Sequence, residues 1–314
     1  MAAVVGAGGF AFFPGGNLPK ASLKAGLRAA QDKLPLASPL LGVNIWASTM
    51  VQEQNSWLQS QAEAVEEVAR CQARVFGELG AAPPHAVVQT LAETEEVMEG
   101  QVDALLEEGV KVVSVHFGWL KPRQVECLRN AGVYLIGNAT NVAEARWLED
   151  RGACAIIAQG ASAGGHRGTF LDLANFHDNA MTGTEQLVRE ITITVSLPVI
   201  AAGGIMNGTD VQVMLDVGAQ GVMLGTAFLT AHESSVHTEH RRALLSSHAG
   251  PTVVTQALTG KPARALVNSW TKDLDFLQRQ LPNCFNGNPA GRALATAAAK
   301  ANRPDLMIMW AGAG

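Results

Sequence analysis

The stretch ACAIIAQGASAGGHRG, residues 153–168, decides how this chain is read. Its first part is an apolar run of strand length; the remainder holds four glycines, one histidine and one arginine. A run this apolar suits a buried strand. A histidine just beyond it lands at the strand's C-terminal edge, where parallel α/β folds place their chemistry. Glycines at such density let a backbone approach a flat or anionic ligand without Cβ clashes. A glycine-rich turn with a solvated histidine explains the same residues, and the loop alone leaves the two readings balanced.

A second stretch tips the balance. Residues 198–204, PVIAAGG, repeat the design of a short β-rich run ending in paired glycines. A helical pattern follows from Gly208 to Gly218, and residues 221–226, GVMLGT, give another strand ending in Gly-Thr. Two consecutive strand ends with glycines, each with a helix N-terminus behind, make a phosphate cradle from backbone N–H groups. In (β/α)₈ barrels that cradle typically follows the seventh and eighth strands. Two ordinary βα turns explain one glycine pair but poorly explain both in tandem, so the phosphate reading is preferred.

Working outward, the apolar runs are Phe10–Phe13, Leu41–Ile45, Val112–Phe117, Val133–Ile136, Cys154–Ala158, Val199–Ala202 and Val222–Leu224. Helical patterns lie between them: Ser56–Gly80, Glu93–Gly109, Arg123–Ala131, Val142–Gly152, Thr184–Ile193 and Asp210–Gly218. Gly109, Gly132, Gly152 and Gly218 stand where helices end on a C′ glycine. Strands alternating with helices predict βα units and a parallel sheet. The expectation is a single (β/α)₈ barrel of the TIM type over residues 1–314, with an excursion at about 47–90 and a C-terminal segment at about 269–314. Seven strands are countable, where a closed barrel of this class has about eight. Beyond Thr226, Glu239–His248 reads as a polar helix, Lys261–Asn268 as a loop or short strand, and Ala290–Asn302 as an alanine-rich helix.

The composition excludes several classes. With 314 residues, 47% of them hydrophobic, the chain can bury a sizeable core. A net charge of −5 argues against a general nucleic-acid binder. No apolar run reaches the ~18 residues that a membrane span needs. The apolar start lacks the basic n-region of a signal peptide, the first lysine being Lys20. Cys71, Cys127, Cys154 and Cys284 are too widely spaced for a metal site or a disulfide framework. A reduced, cytoplasmic setting is the default expectation, and the sequence carries no signal for an oligomeric state.

Taken together, QGASAGGHRG, PVIAAGGIMNGTDV, GVMLGTAF, GVNIW at residues 42–46, VSVHFG at 113–118 and GKPARALVN at 260–268 resemble the nitronate monooxygenases. These are FMN-dependent (β/α)₈ barrels, formerly called 2-nitropropane dioxygenases. The resemblance runs from about residue 2 to WAGAG at residues 310–314, which is similar to the family's WAGQG segment. It implies that Asn44 hydrogen-bonds the flavin, that Gln159 and Gly164 flank it, and that Gly203, Gly204, Met223, Leu224, Gly225 and Thr226 hold the FMN phosphate. His166 would be the catalytic base toward neutral nitroalkanes, and His116 would line the substrate pocket or be a satisfied core histidine. The implied reaction is one-electron oxidation of a nitronate by FMN, then reaction with O₂ to a carbonyl compound and nitrite or nitrate. The implied partners are thus a small nitronate or nitroalkane and O₂, with no nucleic acid, membrane or nicotinamide. The flavin-dependent enoyl-acyl-carrier-protein reductases share the histidine loop and cradle and stand as the alternative.

Departures from the family pattern are also legible. Characterised members bring tyrosines and a lysine from the C-terminal segment, whereas residues 281–292 here offer Cys284, Asn288 and Arg292, and the lone tyrosine is Tyr134. Ser162 replaces an acidic residue of the loop and Met223 a glutamine. The family opens with a strand of the type PIIQAPM; here residues 2–9 read as the end of the helix that follows such a strand. That predicts a gap between the strands at Phe10–Phe13 and Val222–Leu224, weak flavin binding and impaired activity. Arg167 is expected to hold the loop through carbonyl or carboxylate contacts, while Lys261, Arg264, His232, His237, His240 and His248 are expected at the surface.

Overall fold

A computed structural model of the chain describes residues 1–34, 39–47, 62–82, 91–171, 181–246, 250–256, 258–273 and 290–314. Among these residues, ten strands run in chain order: β1 (Ala11–Gly16), β2 (Leu41–Trp46), β3 (Val112–His116), β4 (Tyr134–Ala139), β5 (Ala155–Gln159), β6 (Gly165–His166), β7 (Val199–Ala202), β8 (Gly221–Met223), β9 (Thr252–Thr255) and β10 (Ala263–Leu266). Seven of them form one parallel sheet in the order β1-β2-β3-β4-β5-β7-β8. These are the seven runs read from the sequence. Among the described residues, β1 and β8 are the two edges of this sheet.

The sheet curls into a TIM-barrel-type half-barrel. Its concave face gathers Phe12, Val112, Ile136, Ala155, Ile157, Ile200, Ala202 and Met223 into one cluster, so side chains from the first and last strands share an interior. On the convex face, Val43, Ile45, Val113, Val115, Leu135, Ile156 and Val199 pack against Leu105, Leu128, Leu148, Leu187 and Ile191 from the crossover helices. Successive strand residues point to opposite faces, so a strand apolar on both supplies both layers. Gly109, Gly132, Gly152 and Gly218 adopt φ of 65°, 73°, 85° and 109°, the left-handed C′ conformation read for them. The N-terminal segment also behaves as read, a short helix Ala2–Gly6 closed by Gly8 at φ 83°.

Two of the elements not read from the sequence matter for the site. The helix Lys20–Gln31 presents just two fully buried residues, Leu23 and Leu27, too thin an apolar stripe to stand out. Its outer face carries Lys20, Lys24 and Arg28, which pair with Asp103, Glu107 and Glu108. Such exposed pairs orient more than they stabilise. The other is an antiparallel sheet, β6-β10-β9, whose two-residue member is the histidine loop itself. Of the helix expected from Ser56, the described part is Ala62–Glu78. It joins Gly291–Lys300, β10 and the Leu306–Ala311 tail through a second cluster built on Phe76, Leu266, Trp270, Leu294 and Met309.

One buried carboxylate ties the histidine loop to the sheet. Glu144 lies in the first turn of the helix Val142–Glu149, whose cap Asn141 accepts from the Glu144 N–H at 2.8 Å. The Glu144 side chain accepts from the N–H and Oγ1 of Thr140 at 2.7 and 2.8 Å. It also accepts from Thr169 Oγ1 at 3.0 Å and from the N–H groups of Phe170 and Leu171 at 2.7 and 3.2 Å. Removing it leaves several dehydrated donors without an acceptor, each costing about 1–3 kcal/mol. Glu144→Ala is therefore expected to lower the unfolding free energy by roughly 3 kcal/mol or more. Chemical denaturation checks this, and a loss below ~1 kcal/mol contradicts the role given to the carboxylate.

Candidate active site

Toward the C-terminal ends of the strands, the inward-facing positions turn from apolar to polar at the period of two that a strand imposes. Along β3 the inward side chains run Val112, Ser114, His116; along β4, Ile136 then Asn138; along β5, Ala155, Ile157, Gln159. On β2, Asn44 donates to Ser114 Oγ at 2.8 Å, which turns the amide along the barrel wall. Asn44, His116 and Gln159, singled out from the sequence, thus line one end of one interior. Asn138 was not singled out; it is buried, its Nδ2 meets no acceptor among the described residues, and a Cβ on Gly168 would fall 2.1 Å from that atom.

The loop after β5 is closed by its own polar groups. Gln159 donates to the His166 carbonyl at 2.9 Å and accepts from the Gly168 N–H at 2.7 Å, so both ends of its amide hold the loop. Arg167 donates to the carbonyls of Gln159 at 2.6 Å and Thr140 at 3.1 Å, the structural use read for it. Its guanidinium is pushed down to about 10, by burial above all, with the nearby Glu144 carboxylate opposing. Three of the loop's four glycines serve the chain's own packing. A Cβ at Gly160 would strike Thr184 Cα at 2.3 Å, one at Gly164 the Gly312 nitrogen at 2.5 Å, and one at Gly168 the Asn138 amide.

His166 itself is held from three sides. As a β6 residue it pairs with Ala263 of β10, its Nε2 lies 2.8 Å from Thr259 Oγ1, and its ring stands 5.0 Å from that of Trp310. Thr259 Oγ1 also reaches the Lys261 carbonyl at 3.4 Å. If that carbonyl takes the hydroxyl proton, Nε2 is the donor toward Thr259 and the imidazole lone pair lies on Nδ1. His116 sits beside it, with Nε2 3.4 Å from the His166 carbonyl and its ring 4.4 Å from that of Phe117. Burial pushes its pKa from 6.5 down to about 4, with Lys261 and Arg167 as like-charge neighbours.

The glycine cradle closes the far side of the same end. Gly203 and Gly204 hold φ of 119° and 72°, and the helix Gly208–Asp216 behind them is capped by Asn207 and Asp210. Across from them, Gly225 precedes the short helix Thr226–Leu229. The tail threads between these parts: Gly312 N–H donates to Thr226 Oγ1 at 2.9 Å, and Ala313 N–H to the Ser162 carbonyl at 2.9 Å. The structure thereby gathers His166, His116, Asn44, Gln159, Gly164, Gly203, Gly204 and Met223 to Thr226 at one end of the sheet.

Three surface expectations are corrected. Lys261 is 1% exposed, its Nζ 4.8 Å from the Phe117 ring centroid, because the Gly260 turn (φ 81°) folds it back over the site. Arg264 is buried in β10, donating to the Ala161 carbonyl at 2.9 Å and Thr252 Oγ1 at 3.1 Å. His240 is buried too, on the inner face of the helix Thr238–Leu245 against the Trp310 carbonyl, while His232 and His237 are exposed as read. Cys284, Asn288 and His248 lie outside the described residues, as does the Arg292 side chain.

Fold and site together define a protein of the (β/α)-barrel class with its polar wall at the C-terminal strand ends, where enzymes of this class place their chemistry. The chain matches the family model of nitronate monooxygenase over residues 1–314. A protein named "Probable nitronate monooxygenase" from Staphylococcus aureus (strain JH9) is 34% identical over 284 residues, 88% of this chain and 74% of its own length. The solved structure of nitroalkane oxidase from Streptomyces ansochromogenes is 32% identical, aligns over 99% of this chain and 84% of its own, and has a TM-score of 0.87. FabK from Thermotoga maritima, at 24% identity and a TM-score of 0.67 over 99% of this chain and 79% of its own, shares the fold. The chain belongs to the nitronate monooxygenase family, and its class is oxidoreductase.

Two outcomes test this geometry. Because His116 takes a proton near 6.5 when unfolded but near 4 when folded, the unfolded chain binds the extra proton between those values. Stability contributed by the neutral ring is therefore complete above 6.5 and falls as pH drops toward 4. His116→Gln should flatten that part of the stability–pH curve measured by denaturation. Thr259→Val removes the oxygen at Nε2, and should change the tautomer balance of His166, read from imidazole ¹⁵N shifts, while stability stays within about 1.5 kcal/mol. An unchanged spectrum would show that Thr259 does not hold the ring.

Proposed function

We propose that the chain is an FMN-dependent nitronate monooxygenase, converting nitronates and nitroalkanes with O₂ into carbonyl compounds and nitrite or nitrate. The observation that carries this reading is the meeting of a fixed histidine, a polar strand-end wall and a glycine cradle at one end of a barrel. The family assignment supports the reaction class.

The cradle fits a single phosphate group. The N–H groups of Gly203, Gly204, Gly225 and Thr226 donate to no turn, loop or cap carbonyl among the described residues, and a Cβ on Gly225 would meet nothing within 4 Å. Amides left without a carbonyl acceptor suit an anion, and the open space lies beside Gly225, since Ala163 and Ser162 stand close against Gly203 and Gly204. Gly203, Gly204 and Met223 to Thr226 would hold the FMN phosphate, and Asn44, Gln159 and Gly164 would flank the ring. FMN, when bound, supplies the electron acceptor between nitronate and O₂. No GxGxxG turn for a dinucleotide follows an early strand, which favours FMN over FAD.

His166 has the placement of a general base. Thr259 fixes the ring through Nε2, and Nδ1 is the atom assigned to take the α-proton of a neutral nitroalkane. A preformed nitronate has already lost that proton and asks of His166 no more than orientation. His116, held neutral, and the rings of Trp46 and Phe117, 5.4 Å apart, would form an uncharged stretch of the pocket wall.

The test has two parts. Cofactor released by denaturation should run as FMN in chromatography; FAD would sink the cradle reading. His166→Asn should retain flavin and lose ~10²–10⁴-fold in turnover of neutral nitroalkanes, with a much smaller effect on nitronates. Equal losses on both forms would make His166 an orienting group and not a base.

A further inference from the structure

The wall beside His166 is aromatic, and one of its rings is seated on a glycine. Trp46 ends β2 two residues beyond Asn44, so its side chain takes the next inward position of that strand. In register it lies beside His116 of β3. Its indole stands edge-on to the Phe117 ring at 5.4 Å and to the His166 ring at 5.9 Å. Beneath it, the pairing of β1 is irregular between Pro14 and Gly16, and Gly16 turns to φ 44°. Irregularities of this kind recur beside active sites, where they re-aim the chain. A Cβ on Gly16 would lie 3.5 Å from the indole, so the ring rests over the space where a side chain would stand.

The seat is itself fixed. Gln101, fully buried in the helix Leu91–Glu107, donates from Nε2 to the carbonyls of Gly16 at 3.0 Å and Leu18 at 3.1 Å. A turn pinned at two carbonyls gives the indole a firm floor. Phe117 is sealed away, whereas Trp46 is half-buried and keeps part of its surface open. Two kinds of surface therefore meet near His166. The amides of Asn44 and Gln159 suit the polar parts of a ligand, while the face of an indole suits hydrocarbon.

Resting on the nitronate reading above, we propose that Trp46 determines specificity for the carbon chain: its indole, seated on Gly16, closes the mouth on its β1 side and ends the space open to an alkyl group on the carbon that faces His166. A chain that stops short of the indole gains about fourfold in affinity with each methylene that leaves water. A chain that reaches the ring gains no more.

The experiment uses the holoenzyme with Trp46→Leu, which shortens the wall, and Trp46→Phe, which shortens it less. The nitronates of nitroethane, nitrobutane, nitrohexane and nitrooctane are compared by kcat/KM. In the unsubstituted enzyme the gain per methylene should stop partway along the series. Trp46→Leu should carry it farther, raising the ratio of nitrooctane to nitroethane nitronate by roughly tenfold or more, mainly through KM. Trp46→Phe should move the same ratio the same way by less, and it carries the test alone if Trp46→Leu does not fold. A merely structural loss lowers every chain length alike, and a ratio left unmoved would overturn the proposal. A second readout needs no turnover: straight-chain carboxylates from acetate to octanoate, inert anions with a planar head like that of a nitronate, are titrated by calorimetry. Their octanoate-to-acetate affinity ratio should also rise by roughly tenfold in Trp46→Leu, and no rise would overturn the proposal. A carboxylate ratio that shifts in a protein that oxidises neither nitro form would keep this inference and defeat the nitronate reading.

Discussion

The Glu144 carboxylate is the constraint on which the rest of the site depends. A loop long enough to carry His166 from β5 over the barrel mouth has many backbone donors, and each must find a partner when water is excluded. Glu144 supplies that partner for Phe170 and Leu171 while it also holds Thr140 at the end of β4. Arg167 bridges the same two segments from the other side through the Thr140 and Gln159 carbonyls. The two side chains form a buried acid–base pair of anchors, and between them the loop has little freedom. A histidine delivered by such a loop has its ring aimed before any ligand arrives.

Much of the fold was legible because its signals are local. Seven apolar runs of strand length and the C′ glycines are properties of short windows, and each became the element read from it. What stayed hidden depends on partners far away in the chain. The helix Lys20–Gln31 owes its place to two leucines and to acids some eighty residues on, at Glu107 and Glu108. The pairing of β6 with β10 joins residues about a hundred apart, which no local pattern announces.

The site was legible in part for the same reason. His166, the cradle glycines and Asn44 stand at strand ends that sequence periodicity can locate. Thr259 and Lys261 reach the site through a turn whose destination is set by β10, so Thr259 was not singled out and Lys261 was expected at the surface. Lysine and arginine are seldom buried without compensation, and the prior misled for that reason at Lys261 and Arg264. Asn138 escaped notice because a polar residue in an apolar run looks like a strand boundary, when here it is one more inward position of β4. The loop glycines were read as room for a ligand, and at Gly160, Gly164 and Gly168 the room is filled by Thr184, Gly312 and Asn138.

The threading of residues 310–314 between Ser162, Gly204 and Thr226 has a consequence for how the molecule comes together in time. A barrel can assemble unit by unit, since each strand meets a neighbour close to it in the chain. The mouth cannot: Ala313 meets Ser162 and Gly312 meets Thr226 across loops whose closure carries an entropic cost that grows with length. The scaffold therefore has reason to form first and the cradle last. A chain caught midway would own a sound barrel with an unfinished mouth, so flavin affinity would ripen after secondary structure and core packing are already complete.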